Sequence, residues 1–157
     1  MNLKNYTSGI SAQATISYIE AYLIDAGATG IMKDIKEGQV VAIVFEMLDE
    51  RGSKRLVKLP ANVIQVQEYL WSEYINSHIR PKKTKEDMLE QAGRTAWKIM
   101  QDWVQIQVSM IKLRQMSMLQ VFLPYIWDGH QTYYEFLKGK QFKALPAPQT
   151  VEISEVL

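Results

Sequence analysis

Apolar side chains recur at helical spacing through the second half of the chain. Met88, Ala92, Ala96, Ile99, Trp103, Ile106, Met110 and Leu113 step by fours and threes, which is one face of a helix. Leu89, Trp97, Met100, Val104, Val108, Ile111 and Met118 form a second stripe beside it, so the apolar face is wider than a coiled-coil seam. Thr84 reads as an N-cap with Asp87 as its capping-box partner, and Pro124 stops the helix at the far end. A helix over Thr84–Phe122 would reach about 58 Å, against roughly 40 Å for the diameter of a compact chain of this size. Either it breaks, with Gly93 as the point and both stripes as core, or it overhangs and its apolar face takes a partner. The second alternative predicts a homo-oligomer, with Trp97, Met100, Val104, Ile111 and Met118 as its interface.

The first half changes period. Ser11 caps a helix running to Ala26, with Ile16, Ile19, Leu23 and Ala26 on its inner face and Gly27 at the left-handed position that ends helices. Three strands follow, Gly30–Ile35, Gln39–Leu48 and Ser53–Leu59, joined by short turns at Lys36–Gly38 and Asp49–Gly52 that predict antiparallel hairpins. The run Val40–Phe45 reads as a central strand. The third strand places Lys54, Leu56 and Lys58 on one side and Arg55, Val57 and Leu59 on the other, a mixed pattern that suits an edge strand guarded by charge. Asn62, with Gln65, caps a second helix carrying Val63, Val66, Leu70 and Tyr74. His78–Lys83 is a basic, proline-broken linker, and Asp128–Gly129 turns the chain toward a short helical or irregular segment, Thr132–Lys138. The predicted fold class is therefore α+β: helix, three-stranded antiparallel sheet, helix, then one long C-terminal helix. Residues 1–145 form one domain and 146–157 a flexible tail.

The chain has 157 residues and a formal net charge of +1, which excludes a protein whose whole surface binds nucleic acid but not a local basic patch. It has no cysteine, so disulfides, thiolate metal sites and a cysteine nucleophile are excluded. The first ten residues are a polar lead without the apolar core of a signal peptide, and no apolar run approaches a membrane span. A cytoplasmic location without membrane contact is expected.

Catalytic chemistry finds no foothold. The two histidines, His78 and His130, are far apart, and Asp128–Gly129–His130 has the composition of a turn. There is no phosphate-cradling glycine loop, no HExxH and no nucleophile elbow, so neither an enzyme nor a metal or other cofactor is expected. Glu86, Asp87 and Glu90 suit the N-terminal end of a helix dipole, and Asp102 can pair with Lys98 one turn before it. Arg94 and Lys98 flank Trp97 as a binding ridge or an exposed collar. Two basic clusters stand out. Arg51, Lys54, Arg55 and Lys58 lie on the second turn and third strand; Arg80, Lys82, Lys83 and Lys85 lie in the linker. Between them in sequence are Tyr69, Trp71 and Tyr74, and cations beside stacking aromatics are what a sequence-tolerant single-strand binder uses.

Lys58-Leu59-Pro60, Arg94-Thr95-Ala96-Trp97, Asp102-Trp103 and Val121-Phe122-Leu123-Pro124-Tyr125 resemble a family of small uncharacterised proteins of phages and other mobile elements, over about Tyr6–Phe142. That resemblance implies a phage-type origin and no particular activity. The order helix, three antiparallel strands, helix is similar to the core of Rad52-type and Erf-type single-strand annealing proteins, and double-stranded-RNA-binding domains share it. The annealing similarity implies an oligomer holding single-stranded DNA in DNA recombination. The expected function is single-stranded nucleic-acid binding in phage or mobile-element DNA metabolism, through Arg51, Lys54, Arg55, Lys58, Arg80, Lys82 and Lys83. The alternative is a protein–protein adaptor or inhibitor whose long apolar helix engages a host or phage protein.

Overall fold

The computed structural model describes residues 3–149, and within them the chain is α+β. Helix α1 spans Ala12–Asp25, and the Ser11 hydroxyl accepts a hydrogen bond from the Ala14 N–H at 3.2 Å. Gly27 follows at φ +104°, which lets the chain leave the helix without a Cβ clash. Strands β1 (Gly30–Lys36) and β2 (Gln39–Leu48) are joined by Glu37 (φ 51°) and Gly38 (φ 76°), the two positive-φ residues of a hairpin turn whose twist matches its strands. Strand β3 spans Lys54–Pro60, and Asp49 shapes the turn before it by accepting the Arg51 and Ser53 N–H groups at 2.9 and 3.0 Å.

The sheet has four antiparallel strands in the order β1-β2-β3-β4, one more than expected. Strand β4 is only Ile126–Trp127, paired as Val57↔Ile126 and Leu56↔Trp127. It covers the middle of β3, so β3 is not the edge strand its mixed pattern predicts.

One sheet face carries Ile43, Phe45, Met47, Val57 and Leu59 into a core shared with Ile16, Ile19 and Leu23 of α1 and with Val66 and Leu70 of α2 (Val63–Ser77). The cap of α2 differs from expectation. Asn62 sits at φ 55° and makes no side-chain cap bond; its role is to tolerate the left-handed backbone after Pro60 and Ala61.

The single helix expected over Thr84–Phe122 is three pieces. A 3-10 turn, Glu86–Met88, leads into α3, Leu89–Lys112, and α4 is Met118–Phe122. Of the expected capping box, the Thr84 N–H donates to Asp87 at 2.7 Å, and no side-chain cap is made at the start of the 3-10 turn or of α3. The helix runs through Gly93 and ends at Arg114, which is left-handed at φ 57°. The Arg114 and Gln115 N–H groups close back on the Ile111 and Met110 carbonyls at 3.0 Å each, the paired bonds of a Schellman end. Ser117 and Gln120 then form a complete capping box for α4. Pro124 lies in a following 3-10 turn, Leu123–Tyr125.

At about 36 Å, α3 fits within the domain. Its buried residues include Ala92, Ala96, Trp97, Val104 and Val108, and Phe122 of α4 packs edge-on against Phe45 at 5.2 Å. Trp97, Val104 and Met118 are 2%, 0% and 6% exposed, and Met100 and Ile111 pack partly against the same core. The face expected to meet a second copy is filled by the chain itself, because the break at Arg114 folds the overhang back onto the sheet.

The N-terminal lead is strapped across α3. The Thr95 hydroxyl donates to the Asn5 carbonyl (3.0 Å), Gln91 Nε2 to the Tyr6 and Ser8 carbonyls (3.0 and 3.1 Å), and Arg94 Nε to the Ser8 carbonyl (3.2 Å). Asp102 accepts from Asn5 at 2.9 Å and pairs with Lys4 at 3.2 Å and Lys98 at 3.6 Å. The Arg94-Thr95 and Asp102 motifs are thus clamps on this segment. The expected tail from Pro146 to Leu157 lies outside the described residues from Thr150 on.

Candidate nucleic-acid interface

The period of two in β3 sends Val57 and Leu59 into the core and leaves Lys54, Leu56 and Lys58 on the opposite face of the sheet. No helix belongs to that face in the core described above, and the cations on β3 are all paired. Lys58 Nζ lies 3.0 Å from Asp34, Arg55 Nε lies 2.9 Å from Asp49 and Lys54 Nζ lies 3.6 Å from Glu46. The hydrogen bond from Lys58 holds the Asp34 carboxyl below its ordinary value, against a smaller opposing effect of burial. Asp49 is lowered chiefly by Arg55 and then by the Ser53 N–H. Arg51 makes no ion pair among the described residues.

The aromatic partners of this cluster come from the C-terminal part of the chain. Trp127, aligned with Leu56 across the β3–β4 pair, has the Lys58 Nζ 5.1 Å from its ring centroid. Asp128 organises the next turn by accepting the His130 and Gln131 N–H groups, both at 2.8 Å, and these bonds lower its carboxyl. Thr132 caps α5 (Tyr133–Gly139) through the Glu135 N–H at 3.2 Å. Tyr133 and Phe136, one turn apart, stack with centroids 6.3 Å apart and 15° between planes. A hollow of about 370 Å³ is lined by Lys54, Arg55, Leu56, Trp127, Tyr133 and Phe136, among others. Further along the chain Lys138, Lys140 and Lys143 are exposed, with no ion pair among the described residues.

The linker cations are elsewhere. The backbone N–H groups of Lys82 and Lys83 donate to the Tyr74 hydroxyl at 3.0 and 3.1 Å, which folds the linker over the end of α2. Trp71, Tyr74 and His78 stack in sequence, at 5.9 and 4.2 Å. Arg80, Lys82 and Lys83 are exposed, and Lys83 lines a different hollow, with Tyr74 and His78. The fold therefore does not merge the two basic clusters into one groove through Tyr69, Trp71 and Tyr74, as their order in sequence suggests.

Sequence reasoning missed Trp127, Tyr133, Phe136, Lys138, Lys140 and Lys143. The signal available in the sequence is the run of aromatic and basic residues over Tyr133–Lys143, of which the reading of Thr132–Lys138 as a short helical or irregular segment makes no use. His78 sits 2.8 Å from the Tyr74 carbonyl, and the described residues hold no group of three or more His, Asp or Glu side chains arranged to bind a metal ion. No helix among the described residues is long and apolar enough to cross a membrane. No protein-family model, curated protein or solved structure matches this chain.

Proposed function

We propose that the protein binds single-stranded nucleic acid, with the sheet face around Lys54, Lys58 and Trp127 and the adjoining α5 as the contact surface. The observation that carries this is the convergence of Lys54 and Arg55 with Trp127, Tyr133 and Phe136 around one hollow, with Lys138, Lys140 and Lys143 exposed in and after α5 and without an ion pair among the described residues. Aromatic faces accept any base by stacking, and lysines follow the phosphates. The near-zero net charge supports a local contact rather than a wrapped filament. Arg80, Lys82 and Lys83 contribute in this reading only by long-range attraction. The phage or mobile-element setting rests on the sequence resemblance alone.

The test is fluorescence anisotropy of labelled oligodeoxythymidylate against a duplex of equal length, at low and high salt. Binding should favour the single strand, weaken with salt, and be lost in a Lys54→Glu/Lys140→Glu double variant that melts like the parent. Binding that is absent at low salt, or untouched by the double variant, defeats this surface.

A second reading, a protein adaptor, is supported by the outward stripe of α3. Ile106 and Leu113 are 58% and 69% exposed, on the line that includes Trp103 and Met110. It predicts a self-association measurable as mass by light scattering and abolished by Ile106→Glu with Leu113→Glu. A monomer in the parent protein removes the self-association.

A further inference from the structure

A groove of about 730 Å³ opens where α1, the β1–β2 hairpin, the start of α2 and the start of α3 meet, within the range of small-molecule sites. Two local features make it, and each has a cost that the fold alone does not require. The first is Gly93, in the body of α3, where glycine is the poorest helix former after proline. A Cβ built there meets nothing within 4 Å, so no close packing demands the glycine; its missing side chain leaves the groove open. The second is the bulge between the Asp34↔Ala42 and Ile35↔Val40 pairs, which leaves Val41 unpaired across β1 and sets Val40 opposite Ile35. Both Ile35 and Val40 line the groove, with Ile16 and Trp97. Bulges that re-aim side chains recur beside binding sites.

The charges around the groove are largely matched. Lys33 pairs with Glu20 at 3.0 Å and Glu90 with Arg94 at 2.6 Å. Glu86 lines the groove and makes no ion pair among the described residues, which leaves one carboxylate without a cation partner beside an apolar lining. We propose that this groove binds a small molecule with an apolar body and a single cationic head, the body against Ile16, Val40 and Trp97 and the head at Glu86. Concavity and volume favour a small molecule over a flat protein contact. The site is separate from the sheet face assigned to nucleic acid, and neither proposal depends on the other.

The experiment is saturation-transfer NMR and thermal shift on the full chain, with phenethylamine as the cationic probe and phenylacetate as its anionic counterpart. Phenethylamine should bind and phenylacetate should not. Gly93→Leu should abolish binding while the melting temperature holds or rises, because the new side chain fills the groove and improves the helix. Glu86→Gln should weaken phenethylamine about tenfold or more, the loss of one charge-assisted contact. If Gly93→Leu does not fold, Ile35→Arg, at an exposed lining position, gives the same answer by placing a competing cation at the groove. Equal binding of the two probes, no binding of either, or binding that survives the groove variants would overturn the proposal.

Discussion

Lys58 holds two partners at once: its ammonium group lies 5.1 Å from the Trp127 ring centroid and 3.0 Å from the Asp34 carboxylate. Asp34 therefore competes with any phosphate for this cation. Asp34→Asn is expected to tighten single-strand binding at low salt and to steepen the log–log salt slope by about 0.7, one additional phosphate contact. Trp127→Ala is expected to weaken binding by about 1–3 kcal/mol with little change in that slope. Anisotropy titrations across a salt series separate the two effects. An unchanged slope in the asparagine variant would show that Lys58 does not meet phosphate.

The strap across α3 should make stability sensitive to acid. Burial raises the Asp102 carboxyl, but the hydrogen bonds from Asn5 and Lys4 and the charge of Lys98 outweigh it and hold it below its ordinary value. A folded value below the unfolded one contributes stability that is fully present above the unfolded value and is lost as pH falls through the folded value. Asp102→Asn should cost roughly 1 kcal/mol near neutrality, with the gap from the parent closing below about pH 4. Thermal melts over a pH series check this. A gap that persists in acid would mean that the charge of Asp102 is not what holds the strap.

Thr15 is fully buried in α1, and its hydroxyl has no hydrogen-bond partner among the described residues. Thr15→Val keeps the shape and removes the unmatched polar group. The gain should be about 1 kcal/mol, or about 2–4 °C in Tm for a domain of this size. Calorimetry that finds a lower Tm would show that the hydroxyl is satisfied in solution.

Arg114 ends α3 in a conformation that suits glycine. Arg114→Gly should stabilise the fold by about 0.5–1 kcal/mol, and Arg114→Val should destabilise it by at least that much. Denaturant titration of the pair is the measurement, and two shifts of the same sign would show that the turn is not fixed as described.

Where local chemistry decides structure, the sequence is explicit. Ser11 at the start of α1, Gly27 at its end and the hairpin turn at Glu37–Gly38 all stand where their residue types predict. The end of α3 was less legible because a charged residue, not glycine, takes the left-handed position. The Ser117–Gln120 capping box marks the restart, a signal that the single-helix reading passed over. Strand β4 has two residues, too short for any period, and exists because tertiary contact lays Ile126 beside Val57. The basic residues of the candidate surface were readable from β3, but their aromatic partners lie some seventy positions further on and are brought in only by that short strand. The apolar stripes of α3 could not declare whether they met the chain itself or another molecule, since both surfaces have the same composition.

The strap also has a kinetic consequence. Asn5 and Asp102 are 97 positions apart, and the carbonyl of Asn5 is tied to Thr95 across 90. Contacts of that separation close a long loop and form late in folding. During synthesis the segment around Asn5–Ser8 therefore has no seat until α3, some ninety positions later, has been made. Those residues find their seat only when α3 has formed, so a segment made well before α3 is fastened only after it.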